Sequence, residues 1–306
     1  MSLSHLGKRA LLSILMIWTV ATLSFLLIHA LPGDPVDMIL GDQASNFDKA
    51  SLRASLGLDQ NLPKQYYDFQ KNLVTLNWGQ SLFSHRNIFK EISTHLPHTF
   101  YLAVTALLIS VFISIPVGAI AAIHQYTAWS ELLSLGCIFA ISLPSFFLAP
   151  LMILFFCVSH HWLPIGGNET FLSVALPAAT LSIGLSSALI QFTKTSFIEF
   201  ISLDFVRVLR AKGAHPFRIY FVHVMKNALS PVVSIIGLQL ASLLSGALIV
   251  ESIFDWPGMG TLIYQAVQGR DYPLVQYCVL TTAIIYTLVN FSIDLIYPIL
   301  QPRLRN

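Results

Sequence analysis

Charge is what this sequence has least of. Among its 306 residues only 10% are Asp, Glu, Lys or Arg and 55% are hydrophobic, whereas an average soluble chain carries roughly 25% charged residues. Such a composition cannot cover a water-facing surface, which excludes a soluble globular enzyme. The formal net charge of +2 is too small to imply a nucleic-acid partner. Cysteine is nearly absent: Cys137, Cys157 and Cys278 each lie in an apolar run, without disulfide or metal-ligand spacing, and read as small packing residues. No G-x-x-x-x-G-K-[ST] string occurs, so the chain does not bind ATP by a phosphate loop, and any ATP is handled by a partner.

What is abundant is long apolar sequence. A bilayer core about 30 Å thick needs roughly 20 apolar residues of helix. Six runs meet that need: Ala10 to Ala30, Thr99 to Ile123, Leu132 to Val158, Leu172 to Phe192, Val232 to Val250 and Leu274 to Ile293. None contains Lys, Arg, Asp or Glu, and Glu131, Glu251 and Asp294 sit only at edges. A proton- or ion-coupled carrier keeps ionisable groups at membrane depth, so a secondary transporter or channel is disfavoured. The first run follows Lys8 and Arg9 but is longer than a signal-peptide core, and is read as an uncleaved span.

The basic residues give the orientation. Lys8 and Arg9, then Lys194, Arg207, Arg210, Lys212, Arg218 and Lys226 in the loop from Thr193 to Pro231, then Arg303 and Arg305 all fall on one side. The short loops opposite hold only Arg270, so both termini are expected in the cytoplasm. Tyr126, Trp129, Trp162, Trp256, Tyr272 and Tyr297 lie near span ends, where amphipathic rings favour the interface.

In the long outer loop, Leu62, Tyr66, Phe69, Leu73 and Leu76 recur at helical spacing after Asn61 and Pro63, predicting an amphipathic helix on the outer face or on the spans. The cytoplasmic loop shows two apolar stripes, Ile198, Ile201, Phe205, Val208, Leu209 and Phe217, Phe221, Val224, Met225, Ala228. Gly213 suits a left-handed helix end and Pro216 a first turn, so two short helices form a basic knuckle. Pro144, Pro150 and Pro177 remove backbone donors within spans and can kink them. Gly184, Ser186, Ser187 and Ala188 read as a close helix-packing face. An intramembrane serine protease built on Ser186 lacks a histidine base in the last two spans. His85, His95, His98 and the pair His160 and His161 lie toward the outside without ligand spacing, so no metal site is expected.

The strings FVRVLRAKG from Phe205 to Gly213 and NALSP from Asn227 to Pro231 resemble the coupling segment of one family. That family is the membrane permease subunits of oligopeptide, dipeptide and nickel importers driven by ATP-binding cassettes. LPGDP at Leu31 to Pro35, LGLDQNLPKQY at Leu56 to Tyr66, LPHTFYLA at Leu96 to Ala103, ESIFDWPGMG at Glu251 to Gly260 and RDYPLVQ at Arg270 to Gln276 are similar to it in the same order. Departures are local: Arg207-Val208-Leu209 replaces an acidic-alanine-alanine opening, Gln301 precedes Pro302 where Asp is usual, and Asn77-Trp78-Gly79 lacks an Asp.

The resemblance implies an all-α integral membrane protein with six transmembrane helices and the type I ABC importer permease fold, a transporter subunit rather than an enzyme. Its parts would be the tail and first helix at 1–30, an extracytoplasmic loop at 31–98, a five-helix core at 99–297 holding the coupling loop 193–231, and a cytoplasmic tail at 298–306. Arg207, Arg210, Ala211, Lys212, Gly213, Asn227, Ala228, Leu229 and Pro231 would transmit motion from the ATPase. Glu251, Trp256, Pro257, Gly258, Gly260, Arg270 and Asp271, with Arg270 and Asp271 as a charge pair, would form an outer gate or the docking surface of a binding protein. The implied partners are a second permease, two ATP-binding cassette subunits, an extracytoplasmic solute-binding protein and membrane lipid, in the bacterial inner membrane. The implied cargo is a di- or oligopeptide, with nickel or another small solute as the alternative.

Overall fold

The computed structural model describes residues 3–30, 49, 50, 53 and 59–300. The LPGDP string, the start of LGLDQNLPKQY and the tail bearing Arg303 and Arg305 lie outside the described residues. Among the described residues the structure is helical, with a single bridge between Gln80 and Asn87 in place of any strand. Five helices among the described residues are long and apolar enough to cross a membrane, and one bent pair counts as a sixth crossing when taken as a single span.

Helix α1 (Leu3–Ala30) packs on the last helix and carries the outer loop on its far end. The amphipathic helix α2 (Leu62–Thr75) starts where expected, with Asn61 extended at φ −69° and Pro63 in the first turn. Its apolar face lies on the spans: Tyr66 bonds Thr22 Oγ1 at 2.8 Å, and the Phe69 ring sits 5.6 Å from Phe25 and 5.9 Å from Tyr277. Leu76 departs from the stripe, because the chain turns left-handed there at φ 57° and leaves it exposed.

Helix α3 (Ile88–Ile123) begins well before the apolar run does. Asn87 caps it by accepting from the Lys90 N–H at 3.1 Å. Its 36 residues span roughly 54 Å, far more than the core thickness. In the polar first turns, before the apolar run begins, Ile88 and Ile92 join Trp78 in one buried cluster.

The third crossing is broken. Helix α4 (Ala128–Ser142) and helix α5 (Ser145–Met152), which continues as a π-helical turn through Ile153–Ser159, meet at 97°. Pro144 supplies no N–H, and Leu143 before it is extended at φ −81° and ψ 118°, as a residue preceding proline prefers. The kink expected from Pro144 is thus a complete interruption, whereas Pro150 sits inside a continuous turn.

Helix α6 (Ala175–Ile201) packs along most of α3. A side chain at Gly118 would lie 2.7 Å from Thr193 Cβ, so this glycine sets the close approach of the two backbones. Helix α7 (Asp204–Ala211) follows, then a single turn Pro216–Arg218, a π-helical segment Ile219–Val224 and α8 (Met225–Gly246). The fifth apolar run does not continue to Val250. The chain breaks at Ala247 and forms the separate short helix α9 (Leu248–Ile253), then α10 (Met259–Gln268) and α11 (Tyr272–Leu300).

Among the described residues the buried apolar side chains fall into one cluster around α2 and the start of α3, one between α3, α6 and α8, one at the knuckle around α7 and one under α5. Phe112, 84% exposed, and Leu132, 70% exposed, typify the faces left for lipid or partner.

Candidate functional site

The knuckle between α6 and α8 is a packed unit with an exposed basic face. Val206 of α7 is fully buried among Phe197, Ile219, Val224 and Ala228, together with Ala119 and Ala122 of α3. The Ala228 carbonyl accepts from Ser196 Oγ at 2.8 Å, fixing the start of α8 to the end of α6. Arg210 donates to the Tyr220 hydroxyl at 3.1 Å, closing the turn from the other side. Gly213 sits at φ +73°, a left-handed conformation that costs other residues roughly 1–2 kcal/mol. Arg207, Ala211, Lys212, Arg218 and Asn227 are exposed, with Leu229 and Pro231 half-buried along α8. Arg207 reaches Asp204 at 3.4 Å, but both side chains are largely exposed, and such a pair contributes little.

Two stripe assignments change. Val208 faces outward, 52% exposed, and Val206 is the buried residue instead. Phe217 is 62% exposed and stacks on Phe221 at 4.9 Å, while Ile219 and Val224 turn inward. The first stripe assumed one helix, but the chain breaks at Ser202 and Leu203 and its phase is reset before Val208; the second meets a π-helical segment whose turn is wider than the 3.6-residue repeat. Periodicity therefore missed Val206, Ile219 and Tyr220, and no local signal announced the π turn.

The outer segment is built around a buried carboxylate. Glu251 is completely buried; Thr99 Oγ1 donates to its Oε1 at 2.7 Å and the Gly260 N–H to its Oε2 at 2.6 Å. Thr99 Oγ1 in turn accepts from the Met259 N–H at 2.7 Å. Burial pushes the Glu251 carboxyl above its usual range, with its hydrogen bonds opposing. Gly258 and Gly260 are dictated by space: a Cβ at either position would run into the Glu251 carboxylate, and at Gly260 also into the Leu248 backbone.

Trp256 is buried rather than interfacial. Its Nε1 donates to the His98 carbonyl at 3.0 Å and its ring stacks on Tyr101 at 6.2 Å. Asp271, also buried, accepts from Ser81 Oγ, from the Phe83 N–H at 3.3 Å and from the Leu274 N–H at 3.2 Å. It caps α11 and ties it to the outer loop. The expected charge pair is not formed: Arg270 is exposed at φ 52°, and the Asp271 carboxylate is occupied by hydroxyl and backbone donors. Of the seven outer residues, only Arg270 presents itself fully to solvent, with Pro257 half-buried.

Between these two modules, at the 97° bend, lies a cavity of about 380 Å³. Its lining is uncharged and includes Pro144, Ser145, Thr180, Gly184 and Ser242. Gly184 has open space around it rather than a neighbouring helix, so it lines the cavity and does not pack. Ser186 is buried, and its hydroxyl has no hydrogen-bond partner. His95 and His98 bond helix carbonyls through Nδ1, and among the described residues no three metal-ligating side chains gather.

Known proteins show the same arrangement of sequence. A family model described as "Binding-protein-dependent transport system inner membrane component" matches residues 114–306, and its N-terminal companion matches residues 2–103. The glutathione transport system permease protein GsiC of Escherichia coli (strain K12) is 35% identical over 99% of both chains. That of Pectobacterium atrosepticum is 34% identical over the same share. A solved structure of the MetNI methionine ABC transporter in inward facing conformations superposes with a TM-score of 0.60 at 19% identity, covering 69% of this chain and 96% of its own.

Proposed function

The chain belongs to the inner-membrane permease subunits of binding-protein-dependent ABC importers, and on that premise we propose that it carries small peptides of the glutathione type. It pairs with a second permease around the pathway, receives cargo from an extracytoplasmic binding protein, and is driven by two ATPase subunits docked on the knuckle. The observation that carries this reading is the knuckle itself. Exposed Arg207 and Lys212, with Val208 and Phe217, form a face that is basic and apolar together, and it is backed by a buried cluster that reaches α3, α6 and α8.

A stroke delivered to α7 therefore moves the spans instead of being absorbed in a loop. Gly213 and the bond from Arg210 to Tyr220 keep the turn stiff. The transmission residues are those of the knuckle and the start of α8, from Arg207 to Gly213 and from Asn227 to Pro231. At the far side, Glu251, Gly258, Gly260, Trp256 and Asp271 build the frame of the outer gate, while Arg270 and Pro257 face the binding protein. Both termini lie in the cytoplasm, as the basic residues favour. Full-length likeness to glutathione permeases and an uncharged cavity favour a cargo that the binding protein selects.

The test is uptake of radiolabelled glutathione, a dipeptide series and nickel by cells carrying the complete transporter. Glutathione uptake that stops on ATP depletion, with membrane potential maintained, supports the proposal. Uptake that survives ATP depletion overturns the mechanism, and nickel uptake without peptide uptake overturns the cargo.

A further inference from the structure

The inner half of the third crossing is fastened to α6 by a cation that turns away from water. Lys194, half-buried near the cytoplasmic end of α6, donates from Nζ to the Ser130 carbonyl at 3.1 Å and to Ser134 Oγ at 2.8 Å. Three residues earlier, Gln191 Nε2 donates to the Ser134 carbonyl at 2.8 Å. The Cys137 thiol lies beside the Ser187 hydroxyl further along the same seam. A lysine at a membrane interface ordinarily extends its ammonium toward water and headgroups. Here it is directed onto α4.

The seam joins two places already described. At its cytoplasmic end, Phe197 of α6 is buried against Val206 of α7. At its other end, Ile141 of α4 and Gly184 of α6 border the cavity. Beyond the bend a further attachment is added: Ala149 of α5 and Cys157 of its π turn are buried with Val250 and Phe254 of the outer segment as well as with Leu176 of α6. Both halves of the third crossing touch α6, but only the outer half is also tied to the outer segment, and Pro144 between them lacks the N–H that would splint the joint.

We propose that Lys194, assisted by Gln191, is a positioning residue that makes α4 travel with the coupling module, so that motion at α7 changes the angle at Pro144 and the shape of the cavity. This rests on the coupling role proposed above for α7. The alternative origin of Lys194 is a topological charge, which needs no bond to Ser130 or Ser134.

The experiment uses the complete transporter in proteoliposomes, with spin labels on Leu135→Cys and Thr195→Cys, both exposed, while the native cysteines are buried. Lys194→Met keeps most of the apolar stem and removes the donors; Lys194→Arg restores them. The resting distance between the labels broadens in Lys194→Met and is narrow in the parent and in Lys194→Arg. Glutathione taken up per ATP hydrolysed falls roughly tenfold in Lys194→Met, with ATP hydrolysis retained. An unchanged distance distribution in Lys194→Met overturns the fastening, and unchanged uptake per ATP overturns its role. The resting distance needs neither cargo nor nucleotide, and Arg210→Glu in parallel reports on the coupling role of α7, so the two readings fail separately.

Discussion

Thr99→Val removes one hydroxyl and leaves the shape of the side chain unchanged. That hydroxyl serves two groups: it donates to Glu251 at 2.7 Å and accepts from the Met259 N–H at 2.7 Å. Both lie in a site that water does not reach, because Thr99 and Met259 are almost fully buried and Glu251 completely so. Leaving a buried polar group without its partner costs roughly 1–3 kcal/mol, so two such groups put the loss near 3 kcal/mol. At about 1.4 kcal/mol per factor of ten, opening of the outer segment becomes on the order of a hundredfold more frequent. Hydrogen exchange followed by mass spectrometry on peptides covering 254–262, with the protein in nanodiscs, reads this directly. Glu251→Gln is the milder companion, since burial already favours the neutral carboxyl and the amide presents a similar outline. Protection of these peptides that changes less than about threefold in Thr99→Val would refute the claim that this buried carboxylate organises the outer segment.

The same group sets a pH dependence. Folded Glu251 holds its proton more tightly than the unfolded chain does, so its contribution is full below the ordinary carboxylate range. That contribution declines as pH rises from there through the raised value; thermal melts from acid to neutral pH should show this slope, and Glu251→Gln should flatten it. Gly213→Pro and Arg210→Glu should each abolish uptake while membrane insertion, read by protease protection, is unchanged. Phe197→Ala empties a fully buried site and should cost roughly 3–5 kcal/mol of local stability, seen as lost protection in α7. Arg270→Ala should leave the melting temperature unchanged and weaken association with the binding protein, because the side chain is exposed and unpaired with Asp271.

Much of this arrangement was legible before any coordinate. Apolar run length gave six crossings, and the position of Gly213 and Pro216 gave the turn of the knuckle, because hydrophobicity and special backbone angles are local properties. What escaped the sequence was context. Pro144 and Pro150 look alike as residues, yet only Pro144 ends a helix, while Pro150 is accommodated inside α5 just before the wider π turn at Ile153–Ser159. Lys90 and Glu91 hid the outer turns of α3 from a hydropathy reading. Arg270 beside Asp271 reads as a pair, but the backbone at φ 52° sends the arginine outward while Ser81, distant in sequence, bonds the aspartate. The role of Lys194 depends on Ser130 and Ser134, more than fifty residues away.

The bend in the third crossing also has a history during synthesis. Residues 132–158 form an apolar run long enough to enter the bilayer as one span. The partners that hold its inner half at an angle, Gln191 and Lys194, are made later, when α6 emerges. Pro144 interrupts the helix from the start, but the angle between its halves gains these bonds only after the fourth crossing has arrived. A nascent chain arrested before Leu172 thus has the joint at Pro144 without the bonds that set its angle, and the cavity, lined from both sides by α4 and α6, is completed only by assembly of the later spans.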